Sequence, residues 1–210
     1  MSIRGLLGGL TPPHGPGSGS RSGRSYAFTS LTPIRRGSEH ALAAHLRGLP
    51  TGDRSPLARL GHVHLGRWMV IDDLKMTWPG APKDPTRLQS AYLLFTASIT
   101  AADNRYADHL PGTFLEDLAA RMPAEADTIW GNCVGYPGSA DVDGLVAYLS
   151  RSQLDTLLFH VGYPNATVEQ VRHALAARDR LVNFVRTHQD EKDPARLQRA
   201  YLEESATWSL

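Results

Sequence analysis

Two histidines lie two residues apart in a stretch with the alternating apolar pattern of a β-strand. His62 and His64 flank Val63, and residues two apart in an extended strand point to the same side. A neutral imidazole binds transition metals or haem iron, and it also abstracts protons. His64 lies deeper in the predicted strand, so we predict it as the metal ligand. The alternative is a pair of polar residues at the wet start of the strand, hydrogen-bonded to backbone.

Arg67 has the opposite parity and lies among apolar neighbours such as Leu65 and Met69. A guanidinium in apolar surroundings needs a partner. It could bind a ligand carboxylate or a propionate with two hydrogen bonds, which makes Arg67 a candidate catalytic and cofactor-binding residue. The alternative is an ion pair with a neighbouring carboxylate such as Asp72.

His160 is the histidine that the sequence places in the middle of an apolar stretch, between Phe159 and Val161. If that stretch is a strand, the imidazole is buried and acts as an axial ligand, a general base or a satisfied core residue. Four further side chains are candidates for substrate binding: Trp68, Tyr92, Thr96 and Ser98. The last three share one face of a predicted strand, a pattern that is equally typical of a partly solvated strand.

The chain contains a single cysteine, Cys133. An internal disulfide and a zinc site made of cysteines alone are therefore excluded, and we predict a reducing, cytoplasmic location. A thiolate ahead of the glycine-rich turn at 135–138 could be a nucleophile or a haem ligand. We favour the other interpretation, a small buried side chain.

Composition indicates one soluble globular domain of 210 residues, with 41% hydrophobic and 20% charged residues. The net charge of +1 gives no strong field for nucleic acid or an anionic membrane. The sequence has no run of about 20 apolar residues, and it lacks the fingerprints of nucleotide-phosphate loops, serine-hydrolase elbows and zinc-protease helices. We therefore expect neither a nucleic-acid nor a membrane partner.

The periodicity of apolar residues predicts the elements that position these side chains. We predict strands over 25–33, 59–72, 90–99, 128–133 and 156–163. We predict helices over 38–49, 103–122 with a break at Pro111, and 142–149, and two more that begin at Thr167 and after Asp193. The first six elements follow the order β-α-β-β-α-β, which is typical of a ferredoxin-like α+β fold.

A ferredoxin-like antiparallel sheet carries its helices on one face and leaves the other face apolar. That face must be covered, so we expect an α+β barrel formed by dimerisation or by an internal half repeat. The predicted organisation is a flexible Pro/Gly/Ser-rich arm over 1–24, the barrel domain over 25–188, and a helical tail over 189–210.

Four segments carry a resemblance to known proteins: Leu-Thr-Pro-Ile at 31–34, His-Val-His-Leu-Gly-Arg-Trp at 62–68, Tyr-Leu-Leu-Phe at 92–95, and Ile-Trp-Gly-Asn-Cys-Val-Gly-Tyr-Pro at 129–137. They resemble a group of bacterial ferredoxin-like α+β barrel proteins, similar to the barrels of dye-decolourising peroxidases and chlorite dismutase-like proteins. The resemblance covers 26–186 and implies a dimeric barrel that accompanies oxidative enzymes. Leu65 and Gly66 depart from the group, which more often has an aromatic residue and alanine there. The distal acid and arginine of the peroxidases have no clear motif here, so peroxidase chemistry does not carry over.

These observations lead to an oxidoreductase-like function, oxygenase or peroxidase-related, on a small hydrophobic molecule in a barrel cavity. In a haem-dependent version, His64 or His160 is the axial ligand and Arg67 contacts a propionate. In a cofactor-free version, one histidine abstracts a proton from an activated substrate. Fold analogy supplies most of this expectation.

The alternative is a noncatalytic ligand-binding or scaffold protein. In that case the terminal segments 3–10 and 197–208, both with spaced apolar residues, recruit a protein partner. In either case we expect a homodimer.

Overall fold

The computed structural model describes residues 19–72, 88–101 and 109–208. Residues 1–18 of the predicted arm, which include the segment 3–10, lie outside the described residues. The start of the helix predicted over 103–122 lies outside them as well. The chain divides into two units, Met1–Asn165 and Ala166–Leu210. This division falls inside the predicted barrel domain.

The first unit is built on an antiparallel sheet of four strands. These are β1 (Arg21–Ser22), β2 (Ser25–Pro33), β3 (Val63–Ile71) and β4 (Tyr92–Thr100), in the order β1-β2-β4-β3. Side chains alternate between the two faces, so β2 buries Tyr26 and Phe28 on the inner face, and β4 buries Leu93 and Phe95 there. The strands predicted over 25–33, 59–72 and 90–99 are therefore confirmed, with shorter bounds for the second.

Four helices of the first unit contribute to the core. They are α1 (Glu39–Gly48), α2 (Gly112–Arg121), α3 (Pro123–Trp130) and α4 (Val142–Arg151), and short 3-10 helices cover Gly52–Arg54 and Pro56–Arg59. The Phe114 ring lies 5.6 Å from Phe28, and the Trp130 ring lies 5.3 Å from Phe95. Because these aromatic pairs join α2 and α3 to the inner face, one hydrophobic core holds the sheet and helices together.

The other face of the sheet, which we call the open face, is far less buried. Leu65 of β3 is 74% exposed and Met69 is 44% exposed. Leu31 of β2 and Leu94 of β4 are only half-buried, whereas their strand neighbours on the inner face are fully buried. The same strands therefore have one face in the core and one partly apolar face in contact with solvent.

Two predicted strands are wrong, and both errors change the topology. Residues 128–130 are the last turn of α3, where Pro123 begins the helix and Ile129 and Trp130 are buried, and residues 131–133 form a turn that ends in the isolated bridge at Cys133. Residues 156–163 form no strand, and Leu157 is 96% exposed. Tertiary packing thus overrode the β-propensity of the first segment, and the second found no neighbouring strand.

The three long strands have the order β2-β4-β3, with α1 between β2 and β3 along the chain. This is the arrangement of a split β-α-β unit. Beyond β2, the described chain supplies only β1 and isolated bridges from Ser30 to Gln153 and from Ile34 to Cys133. The fold is α+β with an open antiparallel sheet.

The second unit is a pair of helices, α5 (Val168–Thr187) and α6 (Pro194–Ser205). Thr167 and Gln170 form a capping box at the start of α5. The Asp193 carboxylate accepts a hydrogen bond from the Ala195 amide at the start of α6. Both helices are confirmed at the residues that predicted their starts. In the described part of the chain, no helix combines the length and the apolar character needed to cross a membrane.

Candidate functional site

A pocket of about 520 Å³ lies where β4 ends and β3 begins. We call it the end pocket. Its walls come from the strand ends and from α2: His62, Thr100, Ala101, Leu110, Thr113, Asp117 and Arg121. Concave sites that combine apolar walls with a few titratable groups are the usual place for ligand binding.

Spacing on α2 explains how its polar residues reach the pocket. Thr113, Asp117 and Arg121 are four residues apart, so they share one face of the helix. Phe114 and Leu118 lie on another face and are fully buried in the core. The sequence analysis missed this polar stripe, although its spacing is visible in the sequence.

His62 is the titratable base of the end pocket. Its Nδ1 lies 3.6 Å from Asp117 Oδ2, beyond a direct hydrogen bond but close enough for charge interaction. Its ring meets Phe114 edge-on at 5.7 Å. Nε2 is buried and has no hydrogen-bond partner among the described residues. Such atoms are rare in folded proteins, because an unsatisfied buried polar group is costly.

Burial lowers the pKa of His62 below its ordinary value of 6.5. The Asp117 carboxylate opposes this effect, and the Arg121 guanidinium adds to it. Arg121 Nε also forms an ion pair with Asp117. The Asp117 carboxylate therefore interacts both with the Arg121 guanidinium and with the His62 ring. The imidazole is therefore neutral at pH 7, which is the state that accepts a proton.

His64 belongs to a separate chain of hydrogen bonds. Its Nε2 lies 2.8 Å from Thr100 Oγ1, Thr100 Oγ1 lies 2.9 Å from Ser25 Oγ, and Ser25 Oγ donates to the Pro164 carbonyl at 3.1 Å. A carbonyl only accepts, so each hydroxyl must donate toward it and His64 Nε2 must carry a hydrogen. In that tautomer Nε2 has no lone pair for a metal, whereas Nδ1 has one.

A β-bulge separates the roles of the two histidines. Two steps of β3, from Val63 to Leu65, oppose a single step of β4, so His64 is an extra residue that interrupts the alternation. The prediction that His62 and His64 act together on one face depended on regular alternation. The structure gives them different partners instead.

A second concavity, of about 470 Å³, lies on the open face. We call it the sheet-face groove. It brings together Arg67, Thr96 and Ser98, three of the residues that the sequence predicted as a site, with Leu65 and Phe159 as apolar neighbours. Arg67 and Thr96 are paired across β3 and β4.

Arg67 is exposed, and its Nε donates to Thr96 Oγ1 at 3.2 Å. The alternative ion pair with Asp72 is not formed, and within the described ranges no other carboxylate pairs with Arg67. Its charge therefore remains beside apolar side chains at the surface.

Trp68 and Tyr92 lie away from the groove. The Trp68 ring is stacked on Phe95 at 5.1 Å on the inner face, so it is part of the core. Tyr92 is at the first position of β4, opposite Pro33 and Ile71 and two residues from Leu94. Of the four candidate substrate-binding residues, only Thr96 and Ser98 line the groove.

His160 is exposed, and the segment around it is irregular. The expectation of a buried imidazole in an apolar strand is wrong, because residues 156–163 do not pair with the sheet. Only Phe159 of this stretch lines the groove.

Cys133 belongs to what we call the turn cluster, which comprises Cys133, Tyr136, Tyr148, Asp127 and Ser139. Its buried Sγ accepts a hydrogen bond from Thr32 Oγ1 at 3.4 Å, and burial raises the pKa of the thiol. A protonated, buried thiol is unreactive. This favours the interpretation of Cys133 as a small buried side chain.

The rest of the turn cluster holds the turn after Cys133. Asp127 accepts from the Tyr136 hydroxyl at 2.8 Å and from the Ser139 amide and hydroxyl at 2.9 and 2.6 Å. These bonds, the Ser139 hydroxyl first, hold the pKa of Asp127 below its ordinary value. Burial raises the pKa of Tyr148 to about 12. Gly135, with φ of 76°, provides the left-handed backbone that the turn requires.

The described residues do not fit a haem site in the sheet-face groove. Its described lining contains no histidine, cysteine, methionine or tyrosine, which are the residues that ligate haem iron. His64 does not line this groove. Across the part of the chain that the structure covers, no group of three or more His, Cys, Asp or Glu residues could hold a metal ion. Haem and metal binding therefore stay predictions.

No family model, no curated protein and no solved structure matches this chain. The resemblance to ferredoxin-like barrel proteins therefore stays a prediction. The end pocket and the sheet-face groove are the two candidate binding sites in the described part of the chain.

Proposed function

We propose that this protein is a cofactor-independent enzyme that removes a proton from a small molecule in the end pocket, with His62 as the general base. The observation that carries the proposal is the place of His62 in the pocket wall, with Nδ1 3.6 Å from Asp117 Oδ2 and with Nε2 buried and unpartnered among the described residues. A buried polar atom without a partner costs about 1–3 kcal/mol. Because Nε2 is closed to solvent in this structure, the imidazole must turn toward the pocket for a bound substrate with a hydrogen to give to supply the missing interaction.

Each neighbour has a defined role in this proposal. Asp117 favours the tautomer with hydrogen on Nδ1 and stabilises the imidazolium that forms when His62 accepts a proton. Arg121 holds the Asp117 carboxylate in place through their ion pair. The Thr100 amide donates to the His62 carbonyl at 3.0 Å and fixes the backbone of the base.

The pocket suits a small, partly apolar substrate. Leu110 and Ala101 provide apolar wall, and Thr113 provides a hydroxyl. A substrate with an acidic C–H or O–H next to an aromatic or carbonyl group would match both features. Proton removal is also the first step of the cofactor-free oxidative chemistry expected from the sequence, which would need dioxygen as the oxidant.

A generic proton-abstraction substrate, 5-nitrobenzisoxazole, tests the base directly. Removal of its ring proton breaks the N–O bond and releases a coloured 2-cyano-4-nitrophenolate, with the proton on the base. We expect the wild-type rate to exceed that of His62→Gln by about a hundredfold and to rise with pH through the lowered pKa of His62. The matched control, His64→Gln, should keep the rate. Equal rates for wild type and a folded His62→Gln would overturn the proposal.

A second candidate function is binding of an amphipathic anion in the sheet-face groove. The specific observation is the exposed Arg67 guanidinium, held by Thr96 and bordered by Leu65 and Phe159. A carboxylate would pair with the guanidinium, and an apolar chain or ring would cover the neighbouring side chains.

Decanoate and decanol separate the charge contact from the apolar contact. We expect Arg67→Met to weaken decanoate binding about tenfold and to leave decanol unchanged. Arg59→Met is the control, because Arg59 pairs with Glu125 and does not line the groove. Unchanged decanoate binding by Arg67→Met would exclude this candidate.

The open face also supports the predicted barrel. A second sheet placed on it would cover Leu65 and Met69 and convert the groove into a cavity between two sheets. The predicted recruitment of a partner by the terminal segments stays a prediction, since 3–10 lies outside the described residues.

A further inference from the structure

Helix α5 is amphipathic but almost entirely uncovered. Of its 20 residues, only Phe184 is buried. Val171, Leu175, Val182 and Val185 are between 36% and 56% exposed. An isolated helix of this length is marginal in water, and most helices in proteins are stabilised by packing of their apolar face. This stripe therefore lacks the packing that its composition requires.

The stripe has the spacing of a coiled-coil seam. Steps of three and four residues alternate through Val168, Val171, Leu175, Arg178, Val182 and Val185. These are the a and d positions of a heptad repeat, with Arg178 as the one charged member. We call this set the α5 seam. A seam of this kind packs against another helix.

The charged member selects the direction of the partner helix. In a parallel pair, d positions face each other, so Arg178 would meet the partner's Arg178 and like charges would repel. In an antiparallel pair, a positions face d positions, so Arg178 would meet the partner's Leu175. Arg178 already pairs with Asp179 at 2.8 Å, and its guanidinium would stay at the edge of the seam.

The flanking residues agree with the antiparallel direction. Arg172 and Asp179 both occupy e positions, and e positions face each other in an antiparallel pair. Arg172 of each copy would then lie beside the partner's Asp179, which gives two opposite-charge contacts. Ala174 and Leu181 occupy the g positions and extend the apolar surface. In a parallel pair, e positions face g positions, so Arg172 and Asp179 would meet no opposite charge across the interface.

We propose that two copies of this chain associate through antiparallel pairing of their α5 helices along the α5 seam. This interface is independent of the end pocket and of the open face. It assigns the homodimer that the sequence led us to expect to one surface, the α5 seam.

Size-exclusion chromatography with light scattering on the full chain tests the interface. We expect wild type at twice the chain mass of 23.0 kDa and Leu175→Asp at the single mass. Two controls should remain dimeric: Leu202→Asp on α6 and Leu65→Asp on the open face. A monomeric wild type, or a dimer lost only in Leu65→Asp, would overturn the proposal.

Charge reversal tests the direction even if Leu175→Asp fails to fold. Arg172→Asp and Asp179→Arg each place like charges together in the antiparallel pair, so each should raise the dissociation constant several-fold. The double variant restores opposite charges and should return toward the wild-type constant. Additive weakening in the double variant would contradict the antiparallel pair.

Spin labels at Glu169→Cys and Asn183→Cys give an independent distance test, since the native Cys133 is buried. At 1.5 Å rise per residue, labels at the same position in both copies should lie about 20 Å apart along the helix axis. A mixed dimer, labelled at 169 in one copy and 183 in the other, should give the shorter distance. The reverse order would indicate parallel helices and overturn the proposal.

Discussion

The end pocket and the turn cluster each contain groups that transfer protons, and burial shifts the pKa of the main group in each. In the turn cluster, burial raises the pKa of Cys133 and of Tyr148. In the end pocket, burial lowers the pKa of His62. Desolvation favours the neutral form in every case. A neutral thiol or phenol is a poor nucleophile, but a neutral imidazole is a base. The same cause therefore makes one cluster unreactive and the other ready to accept a proton.

The largest expected contrast is in the reactivity of the thiol. Cys133 is buried and its pKa is raised, so we expect no labelling by Ellman's reagent at pH 8 in the folded protein. The urea-unfolded chain should release one equivalent of thionitrobenzoate. Rapid labelling of the folded protein would show that the turn cluster is as accessible as the end pocket.

The next largest effect concerns the wall behind His62. Phe114 is fully buried, contacts Phe28 and Phe95, and meets the His62 ring. Phe114→Ala should lower the free energy of unfolding by about 3–5 kcal/mol, measured by urea denaturation. A loss below about 1 kcal/mol would mean that neighbouring side chains fill the space left by the Phe114 ring. Exposed Val134→Ala, beside the turn cluster, is the matched surface control.

A smaller effect should separate the two charges that act on His62. Asp117→Asn removes the interaction that raises the His62 pKa, so we expect that pKa to fall further. Arg121→Gln removes an interaction that lowers it, so we expect the pKa to rise. Titration of the His62 Cε1 proton by NMR measures both shifts. Shifts of the same sign in the two variants would contradict the arrangement.

The smallest effect is expected at Asp127. Its pKa is lowered by the Ser139 and Tyr136 hydrogen bonds, so its ionised form stabilises the fold at pH values above its ordinary pKa. That stabilisation is lost as pH falls through the lowered pKa. Asp127→Asn should therefore be less stable than wild type at pH 7, and the gap should close in acid. Thermal melts at pH 7 and pH 2.5 compare the two, and an equal gap at both would contradict the assignment.

The sequence was sufficient to predict elements whose local signals are strong, such as the alternation of a strand or the capping residue of a helix. Strict alternation in β2 and the capping residues Thr167 and Asp193 predicted those elements correctly. The segment at 128–133 failed because burial of Ile129 and Trp130 against the sheet outweighs their β-propensity. The segment at 156–163 failed because periodicity cannot tell whether a neighbouring strand exists to pair with.

Part of the candidate site was predicted correctly, because it depends on the local pattern of a regular strand. Arg67 and Thr96 were placed on a common face because regular strands fix parity, and they do line one groove. His64 was chosen over His62 because it lies deeper in the predicted strand, and the shared face of the two histidines depended on regular alternation continuing to the start of β3. The bulge that breaks it leaves no clear signal in the sequence. Asp117 comes from a helix distant in sequence, and only the packed structure brings it to His62.

The bulge has a consequence for insertion and deletion in this strand. Because His64 is the extra residue, Val63 and Leu65 face opposite sides of the sheet, as two consecutive residues of a regular strand do. A chain lacking residue 64 would keep every other side chain of β3 on its present face and would lose the bond to Thr100. Position 64 is thus a place where the strand could gain or lose one residue during evolution without re-sorting the core.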